Sequence, residues 1–426
     1  MKSVFDTKEY KISRGAYKAQ CAFDYFIALL VSDAFLSKLL TYIGLSDSAT
    51  GIISSVISVT FLFQLFSLGF AGRIKSVKKT VIVLDTLSQF FFLCLFLLPF
   101  LKVGFTAKTV LVFVIIVTAY LFLYLNNNIA YRWGNAFVDP QKRGTYSAAK
   151  EMISLISGIA FTLFVGYMVD GFEAKGQMET GFLFIVGCMA VVMVLNFISL
   201  MLFRDIPIVQ NNGQKTFRQI WNHTLADPKM RNVIIMVALY GISAFSVSGF
   251  LGTFKTADLG YSLGQVQVIN TAASLVRFAV SVPFGKYSDK KGYDKGFRLA
   301  LILLVVSYIF GLFATPATRW CIVVYSVLYS VSQAGIGQNI YNLAYYFADG
   351  DYILEAMAVN NSVKGVVGFL ASLLSGSLLS FIQTGQLTVG FMQFGQQWLM
   401  GIAALFAVAS LVFNVKVVSK QKGIKQ

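Results

Sequence analysis

Five ionisable residues sit in apolar stretches where hydrocarbon would tolerate them badly: the acids Asp24, Asp33 and Glu151 and the bases Arg277 and Lys364. Burying such groups in a bilayer is costly, so each is read first as functional. The acids can take up and release a proton or hold a small cation. The bases can recognise hydroxyl-rich or anionic ligands. Amides accompany them: Asn126, Asn127 and Asn128 in one stretch, and Gln338, Asn339 and Asn342, with Tyr345, in another. Asp24, Asn127, Arg277, Gln338, Asn339, Asn342 and Lys364 form the candidate set for binding a small polar solute. Asp24, Asp33 and Glu151 are the candidates for a coupling ion, proton or sodium. The competing reading is a buried Asp–Lys or Asp–Arg pair that only ties helices together. Asp85 lies about one turn from Lys78 and Lys79 and reads as an acid reaching out to them.

These residues need helices to position them. The chain is 57% hydrophobic and 13% charged, whereas a soluble domain carries about a quarter charged residues. Apolar runs such as 110–125, 181–203 and 398–415 approach or reach the ~20 residues that cross a bilayer. The pattern predicts an all-α membrane protein of twelve transmembrane helices. They are expected at 19–43, 49–71, 80–101, 109–137, 146–170, 181–203, 232–256, 265–286, 297–316, 320–347, 355–382 and 396–416. That organises the chain as an N-terminal six-helix bundle (1–203), a cytoplasmic central loop (204–231) and a C-terminal six-helix bundle (232–426). Within the central loop, Phe217, Ile220, Trp221, Thr224 and Leu225 share one helical face, which predicts a short amphipathic helix on the inner leaflet. Within the first span, Asp24 and Asp33 fall on opposite faces at about 100° per residue. Asp24 shares its stripe with Lys38 and Tyr42 and is the better cavity residue. Asp33 then meets another helix.

Lysine and arginine sort by side. Both terminal segments, the central loop and the segments after the second, fourth and eighth spans are basic. The other side carries Lys102, Lys108, Lys175, Lys255 and Arg319. The positive-inside rule puts both termini in the cytoplasm of a bacterial-type plasma membrane. The formal charge of +16 is therefore topogenic, and no nucleic-acid partner is expected. Cys21, Cys94, Cys188 and Cys321 lack metal-ligand spacing. His223, the one histidine, falls in the central loop, which argues against a histidine relay. HExxH, P-loop and GxSxG motifs are missing, so an enzyme is not expected, nor a cofactor or metal. A monomer embedded in lipid, with a small-molecule substrate, is.

An internal repeat supports the two-bundle organisation. A shift of about 210 residues places Gly158 on Gly368 and Gly166 on Gly376, and the loops after the second and eighth spans also correspond.

After the eighth span the chain reads Gly285-Lys-Tyr-Ser-Asp289-Lys290-Lys291-Gly292. This resembles the signature G-x-x-[AS]-D-[RK]-x-G of the major facilitator superfamily, whose two six-helix halves are related by pseudo-symmetry. The resemblance implies that spans 1, 4, 7 and 10 line a central cavity, with 2, 5, 8 and 11 flanking it. It also implies a gate role for Gly285, Asp289, Lys290 and Gly292, with Asp289 opposite the basic start of span 5. The N-terminal copy, Gly69-Phe-Ala-Gly72-Arg73, departs from the pattern: Arg73 stands where the aspartate belongs. Its expected partners are the acids before span 11, Glu355 among them. Lys11, Ser13, Gly15, Asp24 and Gly44-Leu-Ser46 further resemble sugar–cation symporters of the glycoside–pentoside–hexuronide branch. In that branch Asp24 would contact the sugar and Lys364 would stand in the cavity. The resemblance implies secondary active transport of a sugar or sugar acid by alternating access. The alternatives are a drug or metabolite exporter of the same fold, and a non-transporting receptor.

Overall fold

The computed structural model describes residues 5, 7–60, 63, 74, 76–139, 143–205, 217–347, 353–385, 390 and 392–421. Its main elements are α1 (Lys8–Leu30), α2 (Asp33–Ile43), α3 (Asp47–Thr60), α4 (Val77–Leu97), α5 (Phe105–Ala136), α6 (Arg143–Ala174), α7 (Met178–Met201), α8 (Phe217–Ala226), α9 (Pro228–Ser248), α10 (Leu263–Lys291), α11 (Tyr293–Leu312), α12 (Trp320–Phe347), α13 (Ile353–Thr384) and α14 (Gly395–Lys416). Among the described residues ten helices are long and apolar enough to cross a membrane, and α1 with α2 makes an eleventh if the bent pair is one span. The span expected at 49–71 is described over Asp47–Thr60; most of its remainder lies outside the described residues.

Local chemistry sets several helix ends. Asp227 caps α9, its carboxylate accepting from the Lys229 N–H at 2.9 Å, with Pro228 in the first turn. Ser262 and Gln265 form a capping box at α10. Gly292, at φ 105°, alone separates α10 from α11. That left-handed conformation favours glycine. The signature expected as a loop is therefore helical through Lys291.

The first span departs furthest from expectation. It starts at Lys8 rather than residue 19, because hydropathy marks hydrocarbon and not the helix end. The polar extension is docked by its own bonds. Arg14 Nη1 donates to the Phe137 carbonyl at 3.2 Å, and the Tyr146 hydroxyl donates to the Arg14 carbonyl at 2.6 Å. The span then breaks between Leu30 and Asp33 with a bend of 42°. Asp33 opens the second piece with φ 46°, the sole positive φ at a non-glycine among the described residues.

The chain forms two compact units: Met1–Leu45 with Thr60–Gln214, and Ser46–Val59 with Lys215–Gln426. The first half of the second expected span, Ser46–Val59, thus belongs with the second unit. There a Cβ on Gly51 would lie 1.9 Å from the Phe250 ring. The Ser48 hydroxyl donates to the Gly376 carbonyl at 2.5 Å. The repeat reappears as equivalent pairings. In the first unit α1 packs on α6 and α7, and α4 on α5 and α7. In the second unit α9 packs on α13 and α14, and α11 on α12 and α14. The matched glycines do matched work: a Cβ on Gly158 would lie 2.6 Å from Tyr25, and one on Gly368 2.2 Å from Phe245.

The amphipathic helix forms as expected, but its apolar face is covered by protein rather than lipid. Ile220 clusters with Met230, Ile234, Ala344, Ala356 and Val359, flanked by Trp221 and Leu225.

Candidate functional site

In the first unit, polar side chains from four helices converge on two carboxylates. Asp24 of α1 is partly buried and Asp85 of α4 is 1% exposed. Gln89 lies one turn beyond Asp85, and its amide nitrogen donates to both acids, at 2.8 Å to Asp24 and 3.2 Å to Asp85. Asn196 of α7 also bridges them, at 3.3 Å and 2.5 Å. Asn126 of α5 donates to Asp85 at 2.9 Å, and Gln20 donates to Asp24. Amide N–H groups that point at a carboxylate stabilise its charged form. Three amide oxygens of this cluster, on Gln89, Asn126 and Asn196, are buried with no hydrogen-bond partner among the described residues.

This corrects the reading of Asp85, which turns inward and does not reach out to Lys78 and Lys79. Lys78 is occupied elsewhere, donating to the Met201 and Phe203 carbonyls. Lys38 of α2, placed on the stripe of Asp24, pairs with Glu173 at 2.5 Å. The helix break between Asp24 and Lys38 invalidates a stripe drawn through both.

In the second unit the site chemistry is basic and aromatic. Lys364 of α13 lies 5.2 Å from the Tyr240 ring centroid and 5.8 Å from that of Phe245. Among the described residues its ammonium pairs with no carboxylate. Gly241 lets α9 approach it, since a Cβ there would lie 3.2 Å from Lys364 Cγ. The Tyr240 hydroxyl donates to Gln333 Oε1 at 2.8 Å. Tyr329 stacks on Tyr325 with centroids 5.6 Å apart. The exposed Arg277 guanidinium acts electrostatically on both Tyr240 and Tyr329.

The structure thus gathers Lys364 and Arg277 around tyrosines that the sequence had not singled out. It places other candidates apart. Gln338 donates to the Ser281 carbonyl at 3.1 Å, tying α12 to α10. Asn339 is fully buried and donates to the Gly335 carbonyl at 2.8 Å in its own helix. It wedges near Gly296 of α11, where a Cβ would lie 2.8 Å from its Nδ2. Asn342 is partly buried and Asn127 exposed. Of the signature residues, Asp289 and Lys290 are exposed, and a Cβ on Gly285 would meet Gln338 at 3.3 Å. Arg73 and the side chains of Glu151 and Glu355 lie outside the described residues. Among the described residues no three of His, Cys, Asp or Glu come together as metal ligands.

The missed residues had a signal. Gln20 and Asp24, like Asp85 and Gln89, are four apart, which puts an amide beside an acid on one helical face.

A sequence profile described as the Major Facilitator Superfamily matches residues 21–372 and 233–423. No curated protein sequence matches the chain. Among solved structures it resembles the nucleoside transporter NupG, with TM-score 0.72 at 13% identity over 98% of this chain and 100% of that one. It also resembles a D-xylose–proton symporter, with TM-score 0.70 at 15% identity over 98% and 99%. A bacterial homologue of the human lysosomal transporter Spinster gives TM-score 0.72 at 13% identity over 96% and 97%. At these identities the likeness is one of fold.

Proposed function

Since the chain belongs to the major facilitator superfamily, we propose that it is a secondary active transporter, moving a small polar solute by alternating access at the expense of an ion gradient. A sugar or sugar acid is the favoured substrate class. The observation that carries this is Lys364: an ammonium with no carboxylate partner among the described residues, held over Tyr240 beside the Gln333 amide and within reach of the field of Arg277. A cation without its own counter-charge favours an anionic or hydroxyl-rich ligand. Tyrosine faces and amides supply the stacking and hydrogen bonds that sugars use. Exposed Asp289 and Lys290 at the end of α10 fit the cytoplasmic gate role, and the distribution of lysine and arginine supports cytoplasmic termini.

The test is a thermal-shift screen of the purified protein in detergent against sugars, sugar acids, nucleosides, amino acids and cationic drugs. A ligand that binds the folded state raises the midpoint by mass action. Hits are carried into proteoliposomes under an imposed ion gradient. Stabilisation and gradient-driven uptake of a sugar or sugar acid is the expected result. Stabilisation by hydrophobic cations alone would replace this reading with export of drugs.

A further inference from the structure

We propose that Asp24 and Asp85 together bind a single proton, so that the pair is one ion site built from α1 and α4 and closed by Asn126 and Asn196. Four observations carry it. The two carboxylates share both bridging nitrogens, those of Gln89 and Asn196. No lysine or arginine is within salt-bridge distance of either acid among the described residues. The surrounding amides are almost fully buried: Asn196 is 1% exposed, Asn126 2%, Gln89 4% and Gln20 4%. Three of their oxygens have no hydrogen-bond partner among the described residues.

Two negative charges this close, with no counter-ion and no water-like dielectric, repel too strongly to persist together. One positive charge resolves the conflict, and the donor arrangement says which. Each carboxylate oxygen already accepts at least one N–H. A metal ion would require those N–H groups to turn away. A proton requires nothing to move. It adds to one carboxylate oxygen as O–H, leaving the other carboxylate charged and solvated by amide N–H groups; no other bond forms or breaks. The orphan amide oxygens give that O–H further acceptors. Access is one-sided, because Asp24 is partly exposed and Asp85 is not. Asp24 is the entrance and Asp85 the interior half.

Other titratable groups stand near on each packed helix. On α1 they are Tyr17 and Cys21, the latter feeling the charge of Asp24; α4 brings Asp85 itself. On α5 they are Tyr124 and Tyr131. On α6 it is Lys150, held 4.8 Å from the Tyr17 ring and felt by Cys21. The contribution of α7 is the neutral Asn196. Among the described residues none of these adds a third carboxylate.

The role of the pair as the coupling site rests on the transport reading, but its existence does not, so the experiment reads the proton directly. Infrared spectra of the purified protein are recorded across pH for wild type, Asp24→Asn, Asp85→Asn and Asp85→Glu, each in an Asp258→Asn background so that this other buried carboxyl adds no band of its own. The expected result is a protonated-carboxyl C=O band at neutral pH in wild type. It disappears in both asparagine variants, because either acid alone ionises among its amide donors. It returns, displaced in frequency, in Asp85→Glu. Persistence of the band in Asp85→Asn overturns the proposal in favour of Asp24 acting alone. A wild type with no such band, whose thermal midpoint rises with sodium and ceases to do so in Asp85→Asn, overturns it in favour of a metal-ion site. The wild-type spectrum decides even if an asparagine variant does not fold. A proton site found as expected, with no solute transported from the panel, would leave the pair standing and sink the transport reading instead.

Discussion

The two compact units are built on the same helix pairings and then filled with opposite charge. The first unit buries carboxylates, Asp24 and Asp85, among amides. The second buries an ammonium, Lys364, among aromatic rings. One residue shows the divergence well. Asn196 of α7 and Asn414 of α14 occupy the last helix of their unit and are both almost fully buried. Asn196 bridges two acids, whereas Asn414 donates to the Met236 sulfur at 3.3 Å. A duplicated scaffold fixes which helices touch. What those contacts do is then set by a handful of polar substitutions, and here they put a carboxylate pair among amides in one unit and an ammonium among aromatic rings in the other.

Replacing each asparagine by leucine breaks the comparison where it is strongest. Asn196→Leu removes two charge-assisted bonds and leaves buried carboxylates short of donors, at a cost of about 3 kcal/mol. Asn414→Leu loses a weak contact to sulfur and costs less than about 1 kcal/mol. The unfolding midpoint in detergent reads the difference. Equal losses would mean that Asn196 serves packing alone.

The shared scaffold is tested at Gly158 and Gly368. Alanine at either position drives a Cβ into an aromatic ring, Tyr25 of α1 or Phe245 of α9. Overpacking of this kind costs about 1–3 kcal/mol. Cutting the facing ring to leucine should restore most of the loss in both units, measured as a double-mutant cycle. Rescue in one unit only would show that the glycines are not equivalent.

Much of this scaffold was legible in the sequence. Hydropathy found the ten long apolar helices of the described residues, α12 to the residue. The facial pattern of Phe217, Ile220, Trp221 and Leu225 found α8. Two things were not legible. The break before Asp33 carries neither proline nor glycine at Val31 and Ser32, so nothing local marks it. The partnership of Asp24 with Asp85 joins residues 61 positions apart. Periodicity within one helix cannot see it, and distance from Lys78 along the sequence suggested the wrong partner. The helix carbonyls that Gln338 and Asn339 bond, those of Ser281 and Gly335, illustrate a related limit of periodicity. An amide in a span can serve a ligand or a neighbouring helix, and only packing tells which.

A gentler perturbation sharpens the charge contrast. Lys364→Met keeps the length of the side chain and removes its charge. The cation–π contacts it forfeits are worth about 1–2 kcal/mol, offset by easier burial of the thioether. Stability should therefore change little. Binding of an anionic or polyhydroxylated hit should weaken about tenfold or more, equivalent to ~1.4 kcal/mol, as read by its thermal shift. Unchanged binding would remove Lys364 from the site.

The smallest effect concerns charges at the helix ends beyond the spans. In the first unit Lys38 and Glu173 neutralise each other. In the second, Asp258 follows α9 in a turn of π-helix, and one of its oxygens has no hydrogen-bond partner. Burial, with Asp47 adding to it, pushes the Asp258 carboxyl up to about 7. An unfolded aspartate titrates near about 4. Between those two values the folded chain holds the proton that the unfolded chain has released. The contribution of Asp258 therefore falls as pH rises from about 4 to about 7, and its full cost is present above that range. Asp258→Asn should melt with wild type at about pH 4 and above it at about pH 8. A midpoint difference that does not vary with pH would mean that Asp258 is held ionised by a partner, and that the second unit balances its end charges as the first does.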